Sequence, residues 1–213
     1  QDWLGPGRFA LLAACFLFAL FPGVFLGADA FFFRDYGALG YPLIHHARES
    51  FWSGELPMWN PLSHCGAPFL AQWGTMALYP FSLIYLLLPL PWSLSFFCFA
   101  HLALAGAGMF LLARRWLEHA GAAAAAGTAF VFNGFTLACL LWPNYTAALG
   151  WMPWVVLLCE QAWQQGRGRL LWAVMAATLQ MLTGVPEIIL LTWLVVGVLW
   201  GARLLGLGRT PSV

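Results

Sequence analysis

The sequence predicts an all-α membrane protein, a polytopic transmembrane helical bundle with six to seven membrane segments. Of its 213 residues, 62% are hydrophobic and 8% are charged, and there is no lysine. Soluble domains average about 45–50% apolar and about 25% charged residues. So few charges cannot cover a surface that faces water, so most of the surface must face lipid. The net charge of +1 and the lack of a basic patch exclude a nucleic-acid-binding protein.

Apolar stretches of about 20 residues, the length that spans about 30 Å of hydrocarbon, recur along the chain. The expected single transmembrane domain begins with a first helix at 9–27, continues with a long polar loop at 28–73, and places its other membrane segments within 76–205. Those segments are 76–90, 92–113, 121–142, 147–163, 170–184 and 188–205.

The segment 76–90 is short and contains Pro80, so we expect a broken or re-entrant element there, packed against protein. The alternative is that it crosses the membrane fully.

Arginines predict the orientation of the segments, because arginines in short loops stay on the cytoplasmic side. They occur before the first helix and after or between later segments, at Arg8, Arg114, Arg115, Arg167, Arg169, Arg203 and Arg209. If these ends and the N-terminus are cytoplasmic, the loop 28–73 and the turns "WPNY" (142–145) and "GVPE" (184–187) face outside. A full crossing by 76–90 would break this rule for Arg114 and Arg115.

The loop 28–73 contains an amphipathic pattern at helical spacing over 41–53, which predicts an interfacial helix lying on the membrane surface. The apolar side consists of Leu43, Ile44, Ala47 and Phe51, and the polar residues are His45, His46, Arg48, Glu49 and Ser50. Trp52 and Trp59 are expected at headgroup depth.

Asp35 follows the first helix by about eight residues and is a candidate general base for a lipid-borne substrate. The competing interpretation is a carboxylate that is solvated or paired, with Arg34 beside it. No metal site is predicted, although His45 or His46 with Glu49, at a spacing of three or four residues, leaves a divalent metal ion as an open alternative.

Several motifs together resemble one known family. They are the Asp-bearing loop, "GELPMWNP", "CGAPF", "LYPF", "FVFNGF", "WMPWVVLLCEQAW" and "LTGVPE", spread over residues 20 to 190. The chain resembles the YfhO-like bacterial membrane proteins, which belong with the GT-C glycosyltransferases. Val185 stands where the family's turn has histidine.

The resemblance implies a GT-C-like fold and a glycosyltransferase that takes sugar from a polyprenyl-phosphate donor at the outer face of the bacterial cytoplasmic membrane. In GT-C enzymes an acidic residue of the first outer loop acts as base or orients the acceptor, and by position this acid corresponds to Asp35. The phosphate that leaves with the carrier needs a cation, either a metal or an arginine. Arg34 and Arg48 are the residues available, and His45 or His46 would assist.

Asn144 and Glu187 are expected at the same face as Asp35. Because family members are several times longer, the chain is expected to correspond to their N-terminal module, either as a fragment or as a truncated relative.

The alternative function is a non-catalytic structural subunit of a larger membrane complex that contacts other subunits. Its specific candidate is His101, in "FAHLALAGAG", which has small neighbours and could be an axial ligand of a haem or chlorophyll. The competing interpretation of His101 is a hydrogen-bonded histidine inside the bundle. A transporter finds little support, because no inverted repeat is visible.

Overall fold

The computed structural model describes residues 4–31, 33–72 and 74–206. Arg209, used above for orientation, and Trp73, where the predicted loop ends, lie outside these ranges. In chain order the α-helices are α1 (Pro6–Leu20), α2 (Pro22–Phe25), α3 (Tyr41–Trp52), α4 (Leu83–Leu87), α5 (Trp92–Leu117), α6 (Ala120–Phe132), α7 (Gly134–Ala138), α8 (Pro143–Gln165), α9 (Arg167–Met181) and α10 (Pro186–Leu204). The shorter elements are a π-helical turn (Tyr36–Gly40), strands β1 (Trp59–Asn60) and β2 (Ala67–Pro68), and 3₁₀ turns at Phe69–Ala71, Pro80–Ser82 and Cys139–Leu141.

Three described segments are long and apolar enough to cross a membrane: Trp92–Leu117, Ala120–Leu141 and Pro186–Leu204. α10 exposes a row of large apolar side chains, including Leu190, Leu194 and Val198. Such a surface suits hydrocarbon rather than water. The molecule is therefore mostly helical and its apolar helices indicate a lipid bilayer environment. The six to seven segments predicted from the sequence exceed the three identified by length and composition.

Proline determines where several helices begin. Pro6, Pro22, Pro143 and Pro186 each occupy the first turn of a helix, where the missing N–H would have no intrahelical partner in any case. The sequence predicted the starts of α8 and α10 at 147 and 188, later than observed, because these prolines were taken as parts of turns.

α5 lies at the centre of the bundle and packs against α1, α6 and α8. Phe9 of α1 stacks on Phe110, with ring centroids 4.6 Å apart. α5 and α6 approach closely where both carry glycine, and a Cβ on Gly127 would lie 3.0 Å from the Gly106 carbonyl oxygen. The small residues of these two segments therefore allow close helix packing.

The C-termini of α5, α8 and α10 meet at one end of the bundle. Arg115 donates to the side-chain oxygen of Gln164, and Trp116 Nε1 donates to Glu160 Oε2 at 2.8 Å. Arg203 of α10 forms an ion pair with the other oxygen of the buried Glu160. These contacts bring arginines from separate helices together, and we call this the arginine end.

The opposite end, which we call the loop end, carries the connection between α2 and α5 and the first residues of α8 and α10. Within 76–90 the longest helix is α4, whose five residues span about 7 Å. This is far short of the roughly 30 Å of a bilayer core. α4 instead packs against α3 and α5 at the loop end.

Candidate functional site

Asp35 is held at the loop end by a residue 107 positions away along the chain. Trp142, the residue that precedes α8, donates its indole Nε1–H to Asp35 Oδ2 at 2.9 Å. Asp35 is half-buried and directly precedes the π-helical turn. One carboxylate oxygen therefore has a fixed donor, and the carboxylate is oriented rather than mobile in solvent.

The "WPNY" and "GVPE" turns meet beside this pair. Tyr145 packs against the cluster that contains Val185 and Ile188, near the carboxylate of Glu187, and the ring of Tyr145 lies 5.5 Å from that of Trp142. Asn144 packs against Gly74, where a Cβ would lie 2.3 Å from Asn144 Nδ2. Gly74 also has a φ of +77°, so this contact requires glycine for two reasons. Asp35 and Glu187 thus lie on either side of the Trp142 and Tyr145 rings, and Asn144 belongs to the same turn as these two aromatic residues.

Arg34 is exposed and lies in the left-handed region with a φ of +47°. A non-glycine residue in this conformation carries strain of about 1–3 kcal/mol. Arg34 lies at the surface, next to Asp35 in sequence.

Arg48 has a different environment from the one expected of a phosphate ligand. Its Nη1 donates to the carbonyl oxygens at the end of α4, those of Tyr85 and Leu86 at 2.8 Å and of Leu88 at 2.5 Å. Trp52 Nε1 also donates to Leu86 O, at 2.9 Å. Arg48 therefore caps the C-terminus of α4, whose last carbonyls have no intrahelical partners.

His45 and His46 lie in a second group, along a cleft of about 640 Å³ between α3 and the β1–β2 hairpin. His45 Nε2 is 4.0 Å from Glu49 Oε1, and the His46 ring packs edge-on against Phe69. We call this cleft, whose polar wall also includes Asn60 and His64, the histidine cleft. Within the described ranges, no three His, Cys, Asp or Glu side chains are close enough together to hold a metal ion.

His101 is hydrogen bonded at both ring nitrogens. Nδ1 lies 2.8 Å from the Phe97 carbonyl oxygen and donates to it. Nε2 then accepts from the Tyr79 hydroxyl at 2.6 Å, and that hydroxyl accepts from Trp151 Nε1 at 2.7 Å. In this arrangement neither nitrogen is available as an axial ligand, which matches the hydrogen-bonded alternative raised from the sequence.

An apolar groove of about 750 Å³ runs between α8, α9 and α10. It extends from Gly166 at the arginine end to Met181 and Leu182 at the loop end. The same two residues form part of the wall of a smaller cavity of about 330 Å³, which Gly74 also lines. The groove therefore meets, through this cavity, the glycine against which Asn144 packs.

Trp142 and Tyr145 are the site residues that were not predicted. The sequence predicted the "WPNY" turn on the same side as the loop 28–73, but only Asn144 was selected from it. An aromatic N–H or O–H next to a predicted outer turn was the available signal, since buried Trp and Tyr usually find polar partners. No protein-family model, curated protein or solved structure matches the chain.

Proposed function

We propose that the chain is the membrane module of a glycosyltransferase that moves a sugar from a polyprenyl-phosphate donor, with a GT-C-like arrangement. The observation that carries this proposal is the carboxylate of Asp35, oriented by Trp142 at the end of the bundle that the apolar groove reaches. A general base must be held close to the hydroxyl that it deprotonates.

The groove suits the hydrophobic part of the donor. Its wall is formed almost entirely by apolar side chains such as Leu170, Val174 and Trp193, and Thr178 is among its few polar residues. An isoprenoid chain lying there would bring its phosphate to the cavity beside Gly74. Asn144 packs against Gly74 beside this cavity, and its amide and Arg34 are the donors proposed for the leaving phosphate.

The orientation has separate support. We take six elements to cross the membrane: α1, α5, α6 combined with α7, α8, α9, and α10. The short α4 then remains at the loop end. Arg115 and Arg203 then lie on the cytoplasmic side with the N-terminus, as the distribution of arginines favours. The loop end, with Asp35, faces the outside of a bacterial cytoplasmic membrane.

The test is the release of polyprenyl phosphate from a panel of polyprenyl-phosphate sugars by the protein in proteoliposomes. This product is the same whichever sugar is transferred. We expect at least one donor to be turned over, and Asp35→Asn to lower the rate about 100-fold or more, as loss of a general base does.

The matched control is Asp29→Asn, which changes an exposed carboxylate of the same loop and should retain activity. Turnover that is equal in Asp35→Asn and wild type would refute the catalytic assignment. Absence of turnover with every donor, together with stable co-purification of another membrane protein, would favour the structural subunit instead.

A further inference from the structure

We propose that the histidine cleft is a binding site for an uncharged saccharide. The cleft of about 640 Å³ lies within the size range of small-molecule sites, about 300–1,000 Å³. It is separate from the apolar groove and from the Asp35 group, with which it shares none of its lining residues.

The two walls of the cleft are held in place independently. One wall is α3, which Arg48 and Trp52 fasten to α4. The other is the β1–β2 hairpin, in which Asn60 pairs with Ala67. The ring of Trp59 lies across Gly66, where a Cβ would be 2.5 Å from Trp59 Cζ2. A cleft between two fixed walls is preorganised for a ligand.

The hydrogen-bonding groups of the cleft include both donors and acceptors. Asn60 is 5% exposed, and its side-chain oxygen accepts from the Leu62 N–H at 3.0 Å. Ser63 Oγ lies 3.2 Å from His64 Nδ1 at the tip of the hairpin. His46 Nε2, beneath the α3 wall, is buried and has no hydrogen-bond partner among the described residues. Mixed donors and acceptors match sugar hydroxyls, which both donate and accept.

Charge and apolar surface decide the ligand class. Among the described residues, Glu49 is the only Asp, Glu or Arg that lines the cleft. A phosphorylated or carboxylated ligand would therefore meet a carboxylate and no guanidinium. Leu39, Leu43 and Leu62 supply an apolar strip, which suits the C–H face of a sugar ring. A metal ion is disfavoured because no three ligating side chains converge there within the part of the chain that the structure describes.

The place of the cleft in the reaction rests on the proposed function. Its wall begins at Ala38, three residues after Asp35. A saccharide held there would present a hydroxyl near the candidate base, so the cleft would hold the sugar acceptor. Binding itself does not depend on this role and can be measured separately.

The experiment is saturation-transfer-difference NMR on the purified protein in detergent micelles, with diacetylchitobiose, maltose and glucose 1-phosphate as probes. We expect saturable binding of a neutral disaccharide and weaker binding of glucose 1-phosphate. Glu49→Gln and His64→Gln should each weaken the disaccharide about tenfold, since each replaces a hydrogen-bonding group by an amide with different charge or geometry. Glu55→Gln, at an exposed carboxylate of the same loop outside the cleft, should leave binding unchanged.

The proposal is overturned if neither disaccharide binds at up to about 10 mM, a concentration that would reveal a millimolar Kd. It is also overturned if Glu49→Gln and His64→Gln bind like wild type, or if Zn²⁺ binds to the cleft residues and no saccharide does. Saccharide binding and donor turnover, both measured on the wild-type protein, separate the two proposals. Saccharide binding without turnover of any donor would support the saccharide site and refute the glycosyltransferase activity. Donor turnover without saccharide binding would support the glycosyltransferase activity and refute the saccharide site.

Discussion

At the scale of single residues, Arg48 shows how a side chain predicted for one role can have contacts that indicate another. The family resemblance suggested Arg48 as a cation for the leaving phosphate, and the helical pattern placed it on the polar side of α3. The structure instead directs Nη1 to three carbonyl oxygens at the end of α4. Helix periodicity predicts which side of α3 a residue occupies. It cannot predict a contact with the C-terminus of α4, which lies nearly 40 residues later and whose last carbonyls lack intrahelical partners.

We predict that Arg48→Ala lowers stability rather than acting on donor binding. Loss of these hydrogen bonds should reduce the free energy of unfolding by about 1–3 kcal/mol, measured by chemical unfolding in detergent. The control is Arg169→Ala, since Arg169 is exposed and bonds to the neighbouring Gln165. An Arg48→Ala protein of wild-type stability that no longer binds polyprenyl phosphate would show that Arg48 is a ligand instead.

Tyr36 gives a prediction about pH. It is fully buried in the loop between α2 and α3, outside the membrane segments, and its hydroxyl lies 3.3 Å from Ser95 Oγ. Burial raises its pKa well above the ordinary tyrosine value of 10.0. The folded protein therefore keeps the phenolic proton where the unfolded chain loses it. The resulting stability is fully present below about pH 10 and is lost above it, at about 1.4 kcal/mol per pH unit.

Tyr36→Phe should therefore flatten the alkaline decline in the free energy of unfolding, measured by urea titration at about pH 8 and about pH 11. Burial also raises the pKa of Tyr79 and of Tyr85, so the decline should become shallower without disappearing. An unchanged slope in Tyr36→Phe would contradict the burial of this hydroxyl.

At the scale of elements, the predicted helices and the observed ones differ mainly at their boundaries. Asn133 interrupts the segment predicted at 121–142: its side chain accepts from the Thr136 N–H and caps α7. A hydropathy profile does not detect such a cap, because one polar residue hardly changes the mean hydropathy of a long window. The amphipathic pattern over 41–53, in contrast, coincides with α3, because period and helix propensity agree there.

The contact between α5 and α6 provides a test at this scale. Gly127→Ala would put a Cβ 2.7 Å from Phe9 Cζ and 3.0 Å from the Gly106 carbonyl oxygen. We expect a loss of about 1–3 kcal/mol in the free energy of unfolding from overpacking. Gly197→Ala in α10 is the control, because a Cβ there meets no atom within 4 Å. It should be neutral or slightly stabilising, since alanine favours helix. Equal effects of the two changes would contradict the close approach of α5 and α6.

At the scale of the whole molecule, composition was enough to predict a helical membrane protein, and the arginine pattern agrees with the way the helix ends are gathered. The pairing of Asp35 with Trp142 could not be predicted, because 107 residues separate them and no local spacing reports such a contact. For the same reason, only one wall of the histidine cleft could be predicted from the sequence. His45 and His46 belong to the amphipathic pattern of α3. Asn60 and His64 belong to the β1–β2 hairpin, and the packing of this hairpin against α3 is a tertiary contact that the local sequence does not predict.

The two ends of the bundle therefore have distinct characters. The arginine end joins helices through the buried Glu160 and its partners Arg203 and Trp116. The loop end gathers Asp35, the mouth of the groove and the histidine cleft. The central claim is that the polyprenyl-phosphate donor lies in the groove with its phosphate at the loop end.

The most direct test is photo-crosslinking with a polyprenyl phosphate that carries a diazirine next to its phosphate, followed by mass spectrometry of the labelled peptides. We expect labels within 70–72, 74–78 and 183–187, which line or adjoin the cavity beside Gly74. Excess unlabelled polyprenyl phosphate should remove them. Labels concentrated instead at the arginine end, within 114–121 and 164–170, would contradict the claim.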